Sequence, residues 1–187
     1  ALIAYGRKAA VIAALLIAVC PLHVRQSHLA GVDTALTLWF TGVIWAALRL
    51  KLGRRHDYLL AGLLVGLATA TKYPGALASL AVLSAHLRSG RCWSDKRVYA
   101  AGGIALCTFL FCSPYVLLDF EGFLAYFGQQ ASHLSLIGSD DFKLGWWYHL
   151  RFTFANGVGW PVSVLGVVAS YWLMRERQFE TVVILFS

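Results

Sequence analysis

The 187 residues are 59% hydrophobic and 13% charged, whereas soluble domains run about 45 to 50% apolar and about 25% charged. With a mean hydropathy of +0.65 and the apolar residues gathered in long blocks, the composition excludes a disordered chain, a disulfide scaffold and a water-facing globule. The net charge of +7 invites a nucleic-acid reading, but the placement of the basic residues accounts for it otherwise, and no nucleic-acid partner is expected.

Apolar runs at 9–22, 32–50, 58–71, 74–87, 98–118 and 158–174, with another opening near 181, predict an all-α fold. The expected architecture is a polytopic bundle of about six transmembrane helices with a truncated seventh. The chain opens at Ala1 without an initiator Met and closes at Ser187 within an apolar segment. Residues 1–187 are therefore expected to be an internal stretch of one transmembrane domain, with no separate soluble domain. Segment 9–22 ends at Cys20-Pro21, and 58–71 with 74–87 forms a hairpin turning at Thr71-Lys72-Tyr73-Pro74-Gly75. Helices of about 14 residues reach about 21 Å against a hydrocarbon thickness of about 30 Å, which places that turn below the surface or in a polar cavity.

If the first helix runs outward, the inner connections hold Arg7, Lys8, Arg49, Lys51, Arg54, Arg55, Arg88, Arg91, Lys96, Arg97, Arg175 and Arg177, which is 12 of the 16 basic residues. The opposite face keeps Arg25, Lys72, Lys143 and Arg151. This asymmetry is a topology signal, and the basic loops are expected to meet membrane lipid. The outer face carries His23, Arg25, Gln26, Ser27, His28 and Asp33, then Lys72 and Tyr73, then a long loop from Asp119 to Gly157. Phe120, Phe123, Leu124, Phe127 and Leu134 recur there near helical period, so 119–136 reads as an amphipathic helix in the interface. Trp146, Trp147, Tyr148 and Trp160 read as the aromatic belt where the chain re-enters the bilayer.

Cys20, Cys92, Cys107 and Cys112 show no pairing pattern and read as packing residues. His23, His28 and Asp33 are spaced by five, which puts successive members about 140° apart on a helix, so only a loop would gather them around a metal. Asp33 suits an N-cap to the following helix, and equally a carboxylate that binds a sugar hydroxyl, a metal or an incoming amine. Lys72 could snorkel harmlessly, but the rigid Tyr73-Pro74-Gly75 turn favours an ammonium held for a phosphate. His133 lies on the polar side of the interfacial helix, as a solvated residue or as part of the site.

Cys20-Pro21-Leu22-His23-Val24-Arg25-Gln26-Ser27-His28, then Asp33, then Ala61 to Tyr73, followed by Ser113-Pro114-Tyr115, Asp119 and Gln129-Gln130-Ala131-Ser132-His133, form an ordered set. The set resembles the GT-C membrane glycosyltransferases, specifically bacterial relatives of dolichyl-phosphate-mannose protein mannosyltransferases and of lipid A aminoarabinose transferases. That resemblance implies a multi-pass protein of the bacterial plasma membrane. It would transfer a sugar, with inversion, from a polyprenyl-phosphate carrier to a lipid, glycan or protein acceptor on the outer face. It implies Asp33 as a catalytic-site acid and Lys72, with Tyr73, His28 and Arg25, around the substrate. It further implies His133 on the phosphate or on a divalent metal, the cofactor some members use. The family's main catalytic Asp belongs to a first outer loop, expected upstream of Ala1. Two other classes compete: a transporter or flippase of a lipid-linked or anionic substrate, which inverted repeats would favour although the sequence shows none convincingly, and a non-catalytic scaffold, against which the His, Asp and Lys on one face argue.

Overall fold

The computed structural model describes residues 2–29, 31–136, 157 and 159–176. Among them the regular structure is helical throughout, with no strand. In chain order these are α1 (Leu2–Ala18), α2 (Pro21–Ser27), α3 (Val32–Arg49), α4 (Arg55–Thr71), α5 (Ser79–Arg88), α6 (Lys96–Cys112), α7 (Tyr115–Leu118), α8 (Phe120–Leu136) and α9 (Trp160–Glu176). Short 3₁₀ turns at Leu50–Leu52 and Tyr73–Ala78 extend α3 and introduce α5.

Expected and observed boundaries differ wherever proline interrupts an apolar run. The run 9–22 becomes two helices bent by 58°, because Pro21 starts α2 and supplies no N–H to continue α1. The run 98–118 is cut at Ser113-Pro114 into α6 and α7. The predicted hairpin is present, but its returning limb opens with the 3₁₀ turn, leaving α5 only 10 residues. Among the described residues, Val32–Leu52 alone is long and apolar enough to cross a membrane, with the bent α1–α2 pair as a second if it counts as one span. The expected bundle of about six transmembrane helices is thus matched, among the described residues, by an all-helical fold with one or two helices of spanning length. The interfacial helix predicted at 119–136 corresponds to α8, and 158–174 to α9. The seventh apolar run, Lys143, Arg151 and the belt residues Trp146, Trp147 and Tyr148 lie outside the described residues.

The core forms where α3, α4, α5 and α6 meet, and alanine dominates it: Ala46, Ala47, Ala61, Ala78, Ala81, Ala85 and Ala101 are buried beside Val43, Leu50, Tyr58 and Val65. Small side chains bring backbones together. Gly62 and Gly66, one turn apart on α4, lie directly on the Ala101 and Ala105 carbonyls of α6, the close approach that small residues spaced by four permit in membranes. Large apolar side chains point outward instead, Phe111 at 86% exposure and Tyr115 and Leu118 at 76%. Such a surface suits lipid and not water.

At the end of the bundle where α3 gives way to α4, polar groups are buried and joined. Arg49 Nε donates to Asp57 Oδ1 at 2.7 Å, with the carboxylate fully buried and the guanidinium 4.9 Å from the centre of the Trp45 ring. Arg91 donates to the Leu50 carbonyl at 2.9 Å and Arg97 to that of Gly53. His86 Nε2 must carry the hydrogen it gives to the Cys92 carbonyl at 3.1 Å, leaving Nδ1 to accept from the Tyr58 hydroxyl at 2.7 Å. These contacts draw the 50–57 and 88–97 loops into one polar end, as the basic-residue pattern requires if it faces the cytoplasm.

Cys92 provides a native test of that orientation. It is exposed, and the Ser94 backbone N–H and hydroxyl beside it hold its thiol below the usual range. In cells carrying a variant that keeps Cys92 alone, an impermeant maleimide is expected to label it only after the membrane is breached. The labelling rate should also rise at lower pH than for a free cysteine. Labelling of intact cells would reverse the topology.

Candidate functional site

At the opposite end of α3 and α4, two predicted residues meet. Lys72 Nζ donates to Asp33 Oδ1 at 2.9 Å, with both side chains about half exposed. Local structure aims each of them. α3 begins at Val32 with Gly31 as its N-cap and no side-chain cap, so Asp33 sits in the first helical turn. The expectation that Asp33 caps the helix is corrected accordingly: its carboxylate reaches across to Lys72. It still complements the helix dipole from that position. Lys72 follows the last residue of α4 in extended conformation, its N–H reaching the Ala68 carbonyl at 3.1 Å. The Gly75 N–H then closes a tight turn on the Lys72 carbonyl at 2.7 Å. Gly75 is buried so closely on the Ala68 carbonyl that a Cβ would collide with backbone. Glycine is therefore what lets this turn fold back onto α4.

Beside the ion pair opens a cavity of about 340 Å³, lined by Cys20, Leu22, His23, Gln26, Asp33, Thr34 and Thr37. Its α2 wall is backed by Gly157, whose carbonyl accepts from Cys20 Sγ at 3.1 Å and whose Cα leaves only close space to Leu22. The threonines differ in a telling way. Thr37 and Thr41 each donate to the carbonyl four residues back at 2.8 Å. Thr34 stands too near the start of α3 to have a helical carbonyl four residues behind it, and its buried Oγ1 has no partner among the described residues.

The remaining sequence-predicted residues are distributed as follows. Arg25 and His28 are exposed on or just after α2 and are not among the cavity-lining residues. Tyr73 stands next to Lys72, but its ring packs against Phe109, Phe123 and Phe127. His133 lies in α8, its side chain outside the described residues. Among the described residues no group of three His, Cys, Asp or Glu side chains could hold a metal ion. Gln26, Thr34 and Thr37 were not singled out from sequence as site residues. The legible signal was the row Asp33, Thr37, Thr41 at intervals of four, a polar stripe along an otherwise apolar helix.

Chemically, the arrangement offers a carboxylate on the wall of a mostly apolar cavity that also carries His23, Gln26 and two threonines, and a cation paired to that carboxylate. A phosphate oxygen could replace the carboxylate on Lys72, since half-exposed partners exchange at low cost. Imidazole, amide and hydroxyl groups along the wall match the donor and acceptor pattern of a sugar.

Comparison with curated proteins and with solved structures gives no match. The chain does match the dolichyl-phosphate-mannose-protein mannosyltransferase family over residues 1–117. That stretch contains α1 to α6, the cavity wall, Asp33 and Lys72. With well over half its length matched, the chain belongs to this family of membrane glycosyltransferases.

Proposed function

We propose that the protein transfers a sugar from a polyprenyl-phosphate carrier to an acceptor at the outer membrane face, within a multi-pass bundle of the bacterial plasma membrane. Family membership supports the class of reaction. The observation that carries the donor is the Lys72–Asp33 pair at 2.9 Å beside the cavity lined by His23, Gln26 and Thr37. In the transfer, the bond from the anomeric carbon to the carrier phosphate breaks and a bond to the acceptor oxygen or nitrogen forms. The acceptor proton leaves to a base. Negative charge gathers on the departing phosphate, where Lys72 supplies the compensating cation. As the phosphate takes up Lys72, the Asp33 carboxylate is released to hold a sugar hydroxyl or to receive the acceptor proton. His23, Gln26 and the threonine hydroxyls line the space for the sugar. His133, with or without a divalent metal, would complete the phosphate contacts from α8, and Arg25 and His28, exposed on and just after α2, would contribute from the rim.

The test is binding of undecaprenyl phosphate to the full-length protein in nanodiscs. Lys72→Ala is expected to weaken it by roughly 10- to 150-fold, the loss of a charge-assisted contact worth about 1.5 to 3 kcal/mol. Unchanged binding in a correctly inserted Lys72→Ala protein would refute the phosphate role.

A further inference from the structure

The turn that presents Lys72 is gripped from two sides. One grip is the burial of Gly75 against the α4 backbone. The other is Tyr73, the residue immediately after the lysine. Its ring makes edge-to-face contacts with Phe109 of α6 at 6.4 Å and with Phe123 and Phe127 of α8 at 5.7 and 5.8 Å. Phe123 also stacks obliquely on Phe120 and Phe127, so the rings form one continuous cluster. Two rings of α8, Phe123 and Phe127, thus meet the same Tyr73 side chain.

Asp119 caps α8 by accepting the Gly122 N–H at 3.0 Å, while Phe120, Leu124, Tyr126 and Phe127 stay about half exposed on its surface. A helix with that pattern takes its position from the headgroup layer as well as from the bundle. Any displacement of α8 must move the Phe123 and Phe127 rings, and these meet the residue covalently next to Lys72.

We propose that Tyr73 is a positioning residue: its ring couples the seating of α8 to the placement of the Lys72 ammonium, and so sets how tightly the site holds a lipid phosphate. This rests on the phosphate role given to Lys72 above. The phenol oxygen is not required; the aromatic edge is.

Undecaprenyl phosphate binding to the full-length protein in nanodiscs tests the coupling through five variants. Tyr73→Leu and Phe127→Leu are each expected to raise Kd about fivefold, as expected when edge-to-face ring pairs are lost. Phe127 lies on the exposed surface of α8, so its variant does not endanger the fold. Tyr73→Phe, which keeps the ring, should stay within about twofold of wild type, because it retains the edge-to-face pairs. On a Lys72→Ala background, Tyr73→Leu should add nothing, since its effect passes through the lysine. Additive losses in that double variant, normal affinity in Phe127→Leu, or a loss in Tyr73→Phe equal to that in Tyr73→Leu would each overturn the coupling. Normal affinity in Lys72→Ala alone would instead remove the phosphate role and the coupling with it.

Discussion

Gly62→Val is expected to prevent accumulation of the folded protein. A Cβ at Gly62 would fall on the carbonyl oxygen, carbonyl carbon and Cα of Ala101, all of them backbone atoms. No side chain can rotate away, so α6 as a whole must withdraw from α4. Gly66 repeats the constraint one turn later against the Ala105 carbonyl and Thr108. The separation would also open the contact among Ala61, Val65 and Ala101 in the core. Overpacking usually costs about 1 to 3 kcal/mol, and a clash with backbone belongs at the top of that range or above it. Gly42 is the internal control, because a Cβ there meets only Leu64 side-chain atoms, the nearest at 3.3 and 3.4 Å. Gly42→Ala should therefore insert and purify as wild type does. Detergent-solubilised yield and melting temperature measure both, and a Gly62→Val protein that melts with the wild type would disprove the backbone contact.

Arg49→Ala is the second large effect. Asp57 is fully buried, Arg49 holds its Oδ1 at 2.7 Å, and its Oδ2 already lacks a partner among the described residues. Removing the guanidinium leaves a fully buried carboxylate whose remaining ion-pair contact among the described residues is His56, 3.5 Å away and largely exposed. An orphaned buried charge costs about 3 to 5 kcal/mol; the partial exposure of Arg49 places this case at the lower end, about 3 kcal/mol. The signature is non-additivity. Arg49→Ala combined with Asp57→Leu should recover much of the stability lost in Arg49→Ala alone. A double variant no more stable than Arg49→Ala would show that the guanidinium acts through Trp45 and not through the carboxylate.

Sequence reading reached the features set by composition and by local chain geometry. All-helical structure, the hairpin at Lys72 and the position of α8 follow from apolar periodicity, proline and amphipathicity, and they appear at the expected positions. The nearness of Asp33 and Lys72 also followed, since both were assigned to one face of the membrane. Long-range choices were not legible. Nothing local indicates that Asp57 turns inward to Arg49, or that the Tyr73 ring turns to α8, because both depend on which helices become neighbours. Gly62 and Gly66 take their meaning only from the packed α6 backbone. The cavity lining was partly legible, through the Asp33, Thr37, Thr41 row, while Thr34 gains significance only once α3 is seen to begin at Val32.

The two ion pairs between α3 and α4 together carry information that neither holds alone. α3 has its acid, Asp33, near the N-terminal end and its base, Arg49, at the C-terminal end; α4 repeats the order with Asp57 and Lys72. Each of the four charges opposes the partial charge of its own helix end. Two helices with the same internal polarity find opposite charges at both ends only when they run antiparallel. A parallel arrangement would set acid against acid and base against base. Sliding α3 past α4 by a single turn, about 5.4 Å, would break both pairs together, so the charges act as a vernier that admits one register. The Asp33–Lys72 pair thus serves the architecture in its own right, with Arg49 and Asp57 holding the same two helices aligned at the far end.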